Sequence, residues 1–205
     1  MTDRTEIVAT VLLSLAAVAT AWSGYQATRW NGEQTKASSR TNAIRIDAAR
    51  AQGLSEAQKE VDVATFIQWI DSYARRETEL TTFYQRRFRP EFKPAFNAWL
   101  ATKPLTNPDA PLTPFVMPQY VLAAEAEAER LDAEAEVSAA QVRQNIQRAS
   151  NYVLGVVLFS VALFFAGMST KLDDLRLRRF ALGVGCTLFL GTVIWLATQP
   201  ISIAV

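Results

Sequence analysis

Four carboxylates between residues 62 and 79 could in principle carry out acid–base chemistry: Asp62, Asp71, Glu77 and Glu79. Two carboxylates held at different pKa values can serve as general acid and general base. Four acids are also an ordinary density for the solvated face of a long helix. The acids therefore give no catalytic signal, and we expect no catalytic residue and no enzymatic activity.

Metal and imidazole chemistry require residue types that this chain lacks. It contains no histidine, and its one cysteine, Cys186, has no partner for a disulfide within the chain. Zinc sites built from cysteine and histidine and catalytic triads with an imidazole base are therefore excluded. We expect no metal site and no bound cofactor.

Cations are interleaved with aromatic residues between residues 75 and 93. The cations are Arg75, Arg76, Arg86, Arg87, Arg89 and Lys93, and the last four are the candidates for contact with a lipid headgroup. Such a surface could stack bases and neutralise the phosphates of a single strand. Residues 26–151 nevertheless contain sixteen Lys or Arg and sixteen Asp or Glu, whereas nucleic-acid binders carry a basic excess. The cations could instead complement a helix C-terminus. We expect no nucleic-acid partner, and a lipid headgroup as the possible anionic contact.

Three stretches contain no charged residue and indicate a membrane protein, and they are 7–24, 153–168 and 180–197. A bilayer is crossed by about 20 mostly apolar helical residues, so each stretch with a little flank suffices. The first could be a signal peptide, but its leader carries Asp3 and Glu6 as well as Arg4, and aromatic residues follow it. We therefore predict an all-α membrane protein with three transmembrane helices. Its predicted segments are helix 1–25, extramembrane region 26–151, helix 152–169, basic loop 170–179, helix 180–199 and tail 200–205.

Helical patterns continue from the first two spans into the extramembrane region. Trp30, Ala37, Ile44 and Ala51 recur every seven residues, as in a coiled-coil seam. Small and apolar residues also recur three and four apart from 124 to 149, without Gly or Pro before the second span. We expect the first two transmembrane helices to continue as an antiparallel helical stalk capped by a small helical head.

Breaks in the pattern divide the head. Gly53 predicts a helix end, and Ser55 with Gln58 resembles a capping box for a second helix over 56–88. A short helix is expected near residues 92–100, followed by a connector over 103–118 that five prolines exclude from helix. The aromatic residues of this region could form a ligand cage or close the tip of the stalk. They are Phe66, Trp69, Tyr73, Phe83, Phe96 and Trp99.

Opposite charges on the two stalk segments suggest a register. The expected pairs are Arg40 with Glu136, Arg45 with Asp132, and Arg50 with Glu127. An exposed pair contributes only about 0.2–1 kcal/mol, so these charges would specify register more than stability. The alternative is an acidic solvated face without a partner.

Two stripes of small residues lie within the apolar stretches, and they consist of Ala16, Thr20 and Gly24, and of Gly183, Thr187 and Gly191. Such stripes are typical of packing between membrane helices. With Thr10, Ser14 and Thr192 they could alternatively line a pore. Four cations in the loop 170–179 favour a cytoplasmic loop and N-terminus and an extracytoplasmic helical domain.

Four segments resemble a group of uncharacterised bacterial membrane proteins in which one membrane helix precedes a helical domain and a pair follows it. They are 21–30 (AWSGYQATRW), 62–71 (DVATFIQWID), 87–96 (RFRPEFKPAF) and 107–114 (NPDAPLTP). The resemblance implies a bacterial protein of the cell (inner) membrane with three passes, and it implies no catalytic residue.

The leading functional hypothesis is a non-enzymatic multipass protein, a homo-oligomeric scaffold or accessory subunit that acts through its helical extramembrane domain. Its expected partners are the lipid bilayer, further copies of itself and another membrane protein. The alternatives are an oligomeric ion channel gated by that domain and a membrane sensor of a small ligand.

Overall fold

The computed structural model describes residues 4–203, and within that range the chain is helical without any β-strand. The α-helices are α1 (Arg4–Ala74), α2 (Thr78–Arg87), α3 (Lys93–Ala101), α4 (Ala123–Ser169) and α5 (Leu175–Ala197). Three of them, α1, α4 and α5, are long and apolar enough to cross a membrane. The all-α class and the three apolar spans are thus confirmed.

The chain divides into two compact units. The central unit is Asn42–Glu136, and the terminal unit comprises the described residues before and after it, 4–41 and 137–203. The borders fall inside α1 and α4, and not at residues 25 and 152 where the apolar stretches meet polar sequence.

Helix α1 is longer than expected because Gly53 does not end it. Gly53 lies in an uninterrupted helix, and Ser55 is buried within it instead of capping a new one. A single glycine costs a helix interior only about 0.5–1 kcal/mol relative to alanine, which neighbouring helix-forming residues offset. The expected break at Gly53 is therefore wrong.

The break that does occur follows Ala74 and involves no glycine. Arg76 has a positive φ of 61°, its N–H donates to Tyr73 O, and the N–H of Glu77 donates to Ser72 O. These two bonds form a Schellman motif with arginine in the left-handed position that glycine usually fills. The expected single helix 56–88 is consequently divided into the end of α1 and the separate helix α2.

Later elements agree more closely with expectation. Helix α3 covers most of the predicted short helix, and the proline-rich connector holds only the 3-10 turn Pro114–Val116. Helix α4 runs without interruption through the expected junction near residue 151. Helix α5 begins five residues early, because the Asp174 side chain accepts from the Arg176 N–H and caps it. Arg176 therefore lies in the first turn of a helix and not in a loop.

In the terminal unit, small residues let α1, α4 and α5 approach closely. Ala9, Leu12, Ala166 and Leu182 form one buried cluster. A Cβ at Gly185 would lie 3.3 Å from Ala162 O, so only glycine fits there without displacing a neighbour. This close approach is typical of helices that pack within a membrane.

Candidate functional site

The central unit is built around a cluster of aromatic rings. Phe66 and Trp69 of α1 face aromatic rings from the segment after α2 and from α3. Most of the ring pairs meet edge to face, as Trp69 and Phe96 do with their ring centroids 4.8 Å apart. The buried members are Phe66, Trp69, Phe88, Phe92, Phe96 and Trp99. Edge-to-face pairs favour the ring quadrupoles and add to the burial of apolar area. The rings contact one another, so they form a core and not a ligand cage.

Two aromatic residues expected in this cluster lie outside it. Tyr73 and Phe83 are 46% and 45% exposed. Tyr120 and Phe115 of the connector region pack against the cluster instead. The proline-rich segment therefore contributes to the core, and the Trp99 indole N–H holds it by donating to Pro111 O at 2.7 Å.

A carboxylate without solvent exposure, Asp62, lies at the edge of this cluster. Its Oδ2 accepts from Arg89 Nη1 at 2.9 Å and from the Tyr120 hydroxyl at 3.1 Å. Arg89 also contacts Glu91 through Nη2. We call Asp62, Arg89, Glu91 and Tyr120 the Asp62 centre. It joins α1, the turn before α3 and the segment before α4.

Electrostatics at the Asp62 centre are dominated by burial. Burial raises the pKa of the Asp62 carboxyl, and the hydrogen bond from Tyr120 and the charge of Arg89 oppose that rise only in part. The pKa of the Tyr120 phenol is also raised, by burial first and then by the Asp62 charge. Tyr120 therefore stays protonated and remains a hydrogen-bond donor. Asp62 Oδ1 is buried and, in the described chain, accepts no hydrogen bond.

The four acids considered for catalysis do not form a pair. Asp62 is enclosed, and Asp71 binds Arg75, the residue that follows α1, at 3.0 Å. Glu77 and Glu79 are exposed around the start of α2. A carboxylate that solvent cannot reach has no access to a dissolved substrate. The geometry suits a structural role for Asp62.

The four cations expected to face one lipid headgroup are separated by the structure. Arg89 belongs to the Asp62 centre, and the Arg87 guanidinium lies 3.7 Å from the centre of the Phe83 ring. Arg86 and Lys93 remain together, and Lys93 Nζ donates to Arg86 O at 3.2 Å. Only these two cations share one surface, a pocket between α2 and α3.

The register of the facing α1 and α4 segments differs from the expected one. Arg45 binds Glu136 at 3.4 Å, where Asp132 was the expected partner, a displacement of one helical turn. Arg50 instead binds Asp47 of its own helix. Glu127 likewise binds Arg130 of its own helix. Farther along the two segments, Lys59 of α1 binds Glu125 of α4 at 2.7 Å.

Buried residues, and not these ion pairs, decide the register, because exposed charges contribute little to stability. The buried residues where α1 and α4 meet include Ile44, Ala48, Ala128 and Ala135. Arg40 is exposed.

The two small-residue stripes have different surroundings. Ala16 is fully buried and Thr20 and Gly24 are half-buried, whereas Gly183, Thr187 and Gly191 are all exposed. The residues of α5 that are buried are instead Ala181, Leu182, Gly185 and Thr192. The hydroxyls considered for a pore each donate to a carbonyl four residues earlier in their own helix, including Thr20 to Ala16 O and Thr187 to Gly183 O. They therefore need no water-filled pore to be satisfied.

A polar contact that the sequence did not suggest fastens the chain after α5. The buried Gln26 side chain accepts from the Ser202 N–H at 2.9 Å. Trp30 Nε1 and the Tyr152 hydroxyl both donate to Pro200 O at 3.2 Å. Arg148 lies 4.6 Å over the Trp30 ring. Side chains of α1 and α4 thus form hydrogen bonds with the backbone of the non-helical segment after α5. A residue pattern along one helix cannot reveal such contacts between distant segments.

Comparison of the chain with protein-family models, with curated proteins and with solved structures finds no match.

Proposed function

We propose that this chain is a non-enzymatic, homo-oligomeric multipass membrane protein, a scaffold or accessory subunit that acts through its helical central unit. In this proposal α1 and α4 leave the bilayer as an antiparallel stalk, the aromatic cluster forms its head, and the protein is in a bacterial inner membrane. The loop before α5 and the N-terminus are cytoplasmic, since the loop and the first turns of α5 carry four cations.

The observation that carries the proposal is an exposed apolar stripe on α1 within the central unit. Val63, Ile67 and Ile70 are 40%, 56% and 41% exposed. At about 100° per residue they lie within about 60° of one another on the helix surface. Single exposed apolar residues are ordinary, whereas these β-branched residues on successive turns of one face form a row that a partner helix could cover.

A second copy of the same chain is the partner that fits this stripe. In a two-fold dimer the same patch meets itself, so a narrow apolar row is complementary to its own image. The Asp71–Arg75 pair lies beside the row, and its two opposite charges could bind the equivalent residues of a partner helix. The exposed stripe of Gly183, Thr187 and Gly191 supports a further contact between copies in the bilayer.

Disulfide cross-linking tests the proposal cleanly, because Cys186 is the only native cysteine. In a Cys186→Ala background, we expect Ile67→Cys to form an oxidised dimer in membranes. The matched control is Gln68→Cys, since Gln68 is also exposed but points about 100° away. It should cross-link several-fold less.

Three results would overturn the proposal. Equal cross-linking of the two variants would mean random collision. A cross-linked species whose mass is not twice that of the chain would identify a different partner. A monomer at all protein concentrations in nanodiscs would exclude self-association.

A further inference from the structure

We propose that the pocket between α2 and α3 binds a phosphate-bearing ligand through Arg86 and Lys93. The pocket has a volume of about 350 Å³, within the range of about 300–1,000 Å³ of small-molecule sites. The proposal is independent of oligomerisation.

The charge of the pocket lining favours an anionic ligand. The lining includes two cations and no acid, and Arg86 has no acidic partner in residues 4–203. Lys93 is held in place by its bond to Arg86 O, which occupies one of the three donors of its ammonium. Two adjacent cations without a counterion favour a ligand that carries more than one negative charge, as a phosphate monoester does.

Neutral polar groups complete a set of donors suited to several oxygens. Thr82, Gln85 and Asn97 also line the pocket. With the guanidinium and ammonium they offer more donors than a carboxylate's two oxygens require, and a tetrahedral oxyanion uses such a set better. Arginine in particular binds phosphate in a bidentate manner.

The remaining lining indicates an organic substituent on the phosphate. Phe88 and Phe96, which are 2% and 0% exposed, also line the pocket. These aromatic residues offer apolar contact to a carbon skeleton, and the pocket is larger than a phosphate group alone. The ligand is therefore a phosphate ester, from either a soluble metabolite or a lipid headgroup.

Adjacent arginines on α2 provide a matched pair of variants. Arg86 lines the pocket, whereas Arg87 stacks on Phe83 away from it. Both are exposed and both lie in the last turn of the helix, so Arg86→Gln and Arg87→Gln remove the same charge with the same effect on the helix dipole. Lys93→Gln tests the second cation, and near-ultraviolet circular dichroism of the aromatic cluster verifies folding.

The experiment measures binding by the full chain in zwitterionic nanodiscs. The soluble arm titrates glycerol 3-phosphate, with glycerol as the uncharged control, by isothermal calorimetry. The lipid arm measures co-flotation with phosphatidic acid vesicles against phosphatidylcholine vesicles. We expect Arg86→Gln and Lys93→Gln to weaken binding by about 10-fold or more, because each removes a charge-assisted bond. Arg87→Gln should stay within about twofold of the native chain.

The arms separate the two sources. Calorimetric binding that depends on Arg86 and Lys93 identifies a soluble phosphate ester, and flotation alone with the same dependence identifies a lipid headgroup. An equal loss in Arg87→Gln would overturn the proposal, since it would show attraction to a basic surface without a site. No binding of glycerol 3-phosphate at millimolar concentration together with no flotation would also overturn it.

Discussion

Replacing Arg89 by methionine tests whether the Asp62 centre works as the structure indicates. Arg89 is the cation that contacts the fully buried Asp62 carboxylate, and its own side chain is only 20% exposed. Methionine keeps much of the apolar volume but leaves the carboxylate with the Tyr120 bond alone. Leaving one partner of a buried ion pair unpaired costs about 3–5 kcal/mol, and we expect a loss of that size near neutral pH.

The loss should depend on pH with a definite sign. In the native protein the pKa of Asp62 is already raised above its usual value of 3.8, mainly by burial. The folded state therefore holds its proton more tightly than the unfolded chain, and the free energy of unfolding falls as pH rises through the folded pKa. Without Arg89 that pKa rises further. Acidification then protonates Asp62 in the variant, and the free energy of unfolding recovers by up to about 1.4 kcal/mol per pH unit.

Tryptophan emission during urea denaturation of the full chain in detergent provides the measurement, because Trp69 and Trp99 lie in the adjacent cluster. We would compare the native chain and Arg89→Met at about pH 8 and about pH 5. The double variant Asp62→Asn, Arg89→Met should recover most of the loss at the higher pH, since it removes the buried charge. Arg87→Met is the control and should change the free energy of unfolding by less than about 0.5 kcal/mol. A loss below about 1 kcal/mol, or an equal loss at both pH values, would refute the reasoning.

Two glycines give further predictions. Gly53→Ala should raise the free energy of unfolding by about 0.5–1 kcal/mol, because Gly53 is inside α1 and a Cβ there meets nothing within 4 Å; a decrease in the same urea assay would contradict a continuous helix. Gly185→Leu should lower the thermal midpoint in detergent, because its Cβ would lie 3.3 Å from Ala162 O and from Leu12 Cδ2. A Cβ at Gly167 of α4 would meet nothing within 4 Å, so Gly167→Leu should change the midpoint less, and similar midpoints for the two variants would contradict the helix packing.

Features encoded along one helix could be predicted from the sequence. The three apolar spans, the continuity of α4 and the burial of Trp30, Thr41, Ile44 and Ala48 follow from composition and spacing. The small-residue pattern on α5 shows where this reasoning stops. Gly183 and Gly185 both belong to small-residue patterns, and only the three-dimensional arrangement of α1, α4 and α5 decides that Gly185 is the one packed.

Features that depend on a left-handed residue or on distant partners could not be predicted. A Schellman motif is recognised in sequence by glycine, and α1 ends with Arg76 in that position. The sequence indicates a separate surface role for Asp62 and for Arg89, although Asp62 shares a helix face with Phe66 and Trp69. An acid on an apolar face requires a buried partner, and that signal was available, but the identity of the partner depends on tertiary structure.

The position of Tyr120 has a consequence for how the central unit is assembled. The Asp62 carboxylate takes its partners from residues 27 and 58 positions later in the chain. During synthesis, both partners of the Asp62 carboxylate are present only after the proline-rich connector and Tyr120 have left the ribosome. Contacts of such sequence separation slow folding, since the loop must close before they form. The central unit is therefore expected to fold late, and Phe66 and Trp69 of α1 stay exposed until the partners of Asp62 are in place.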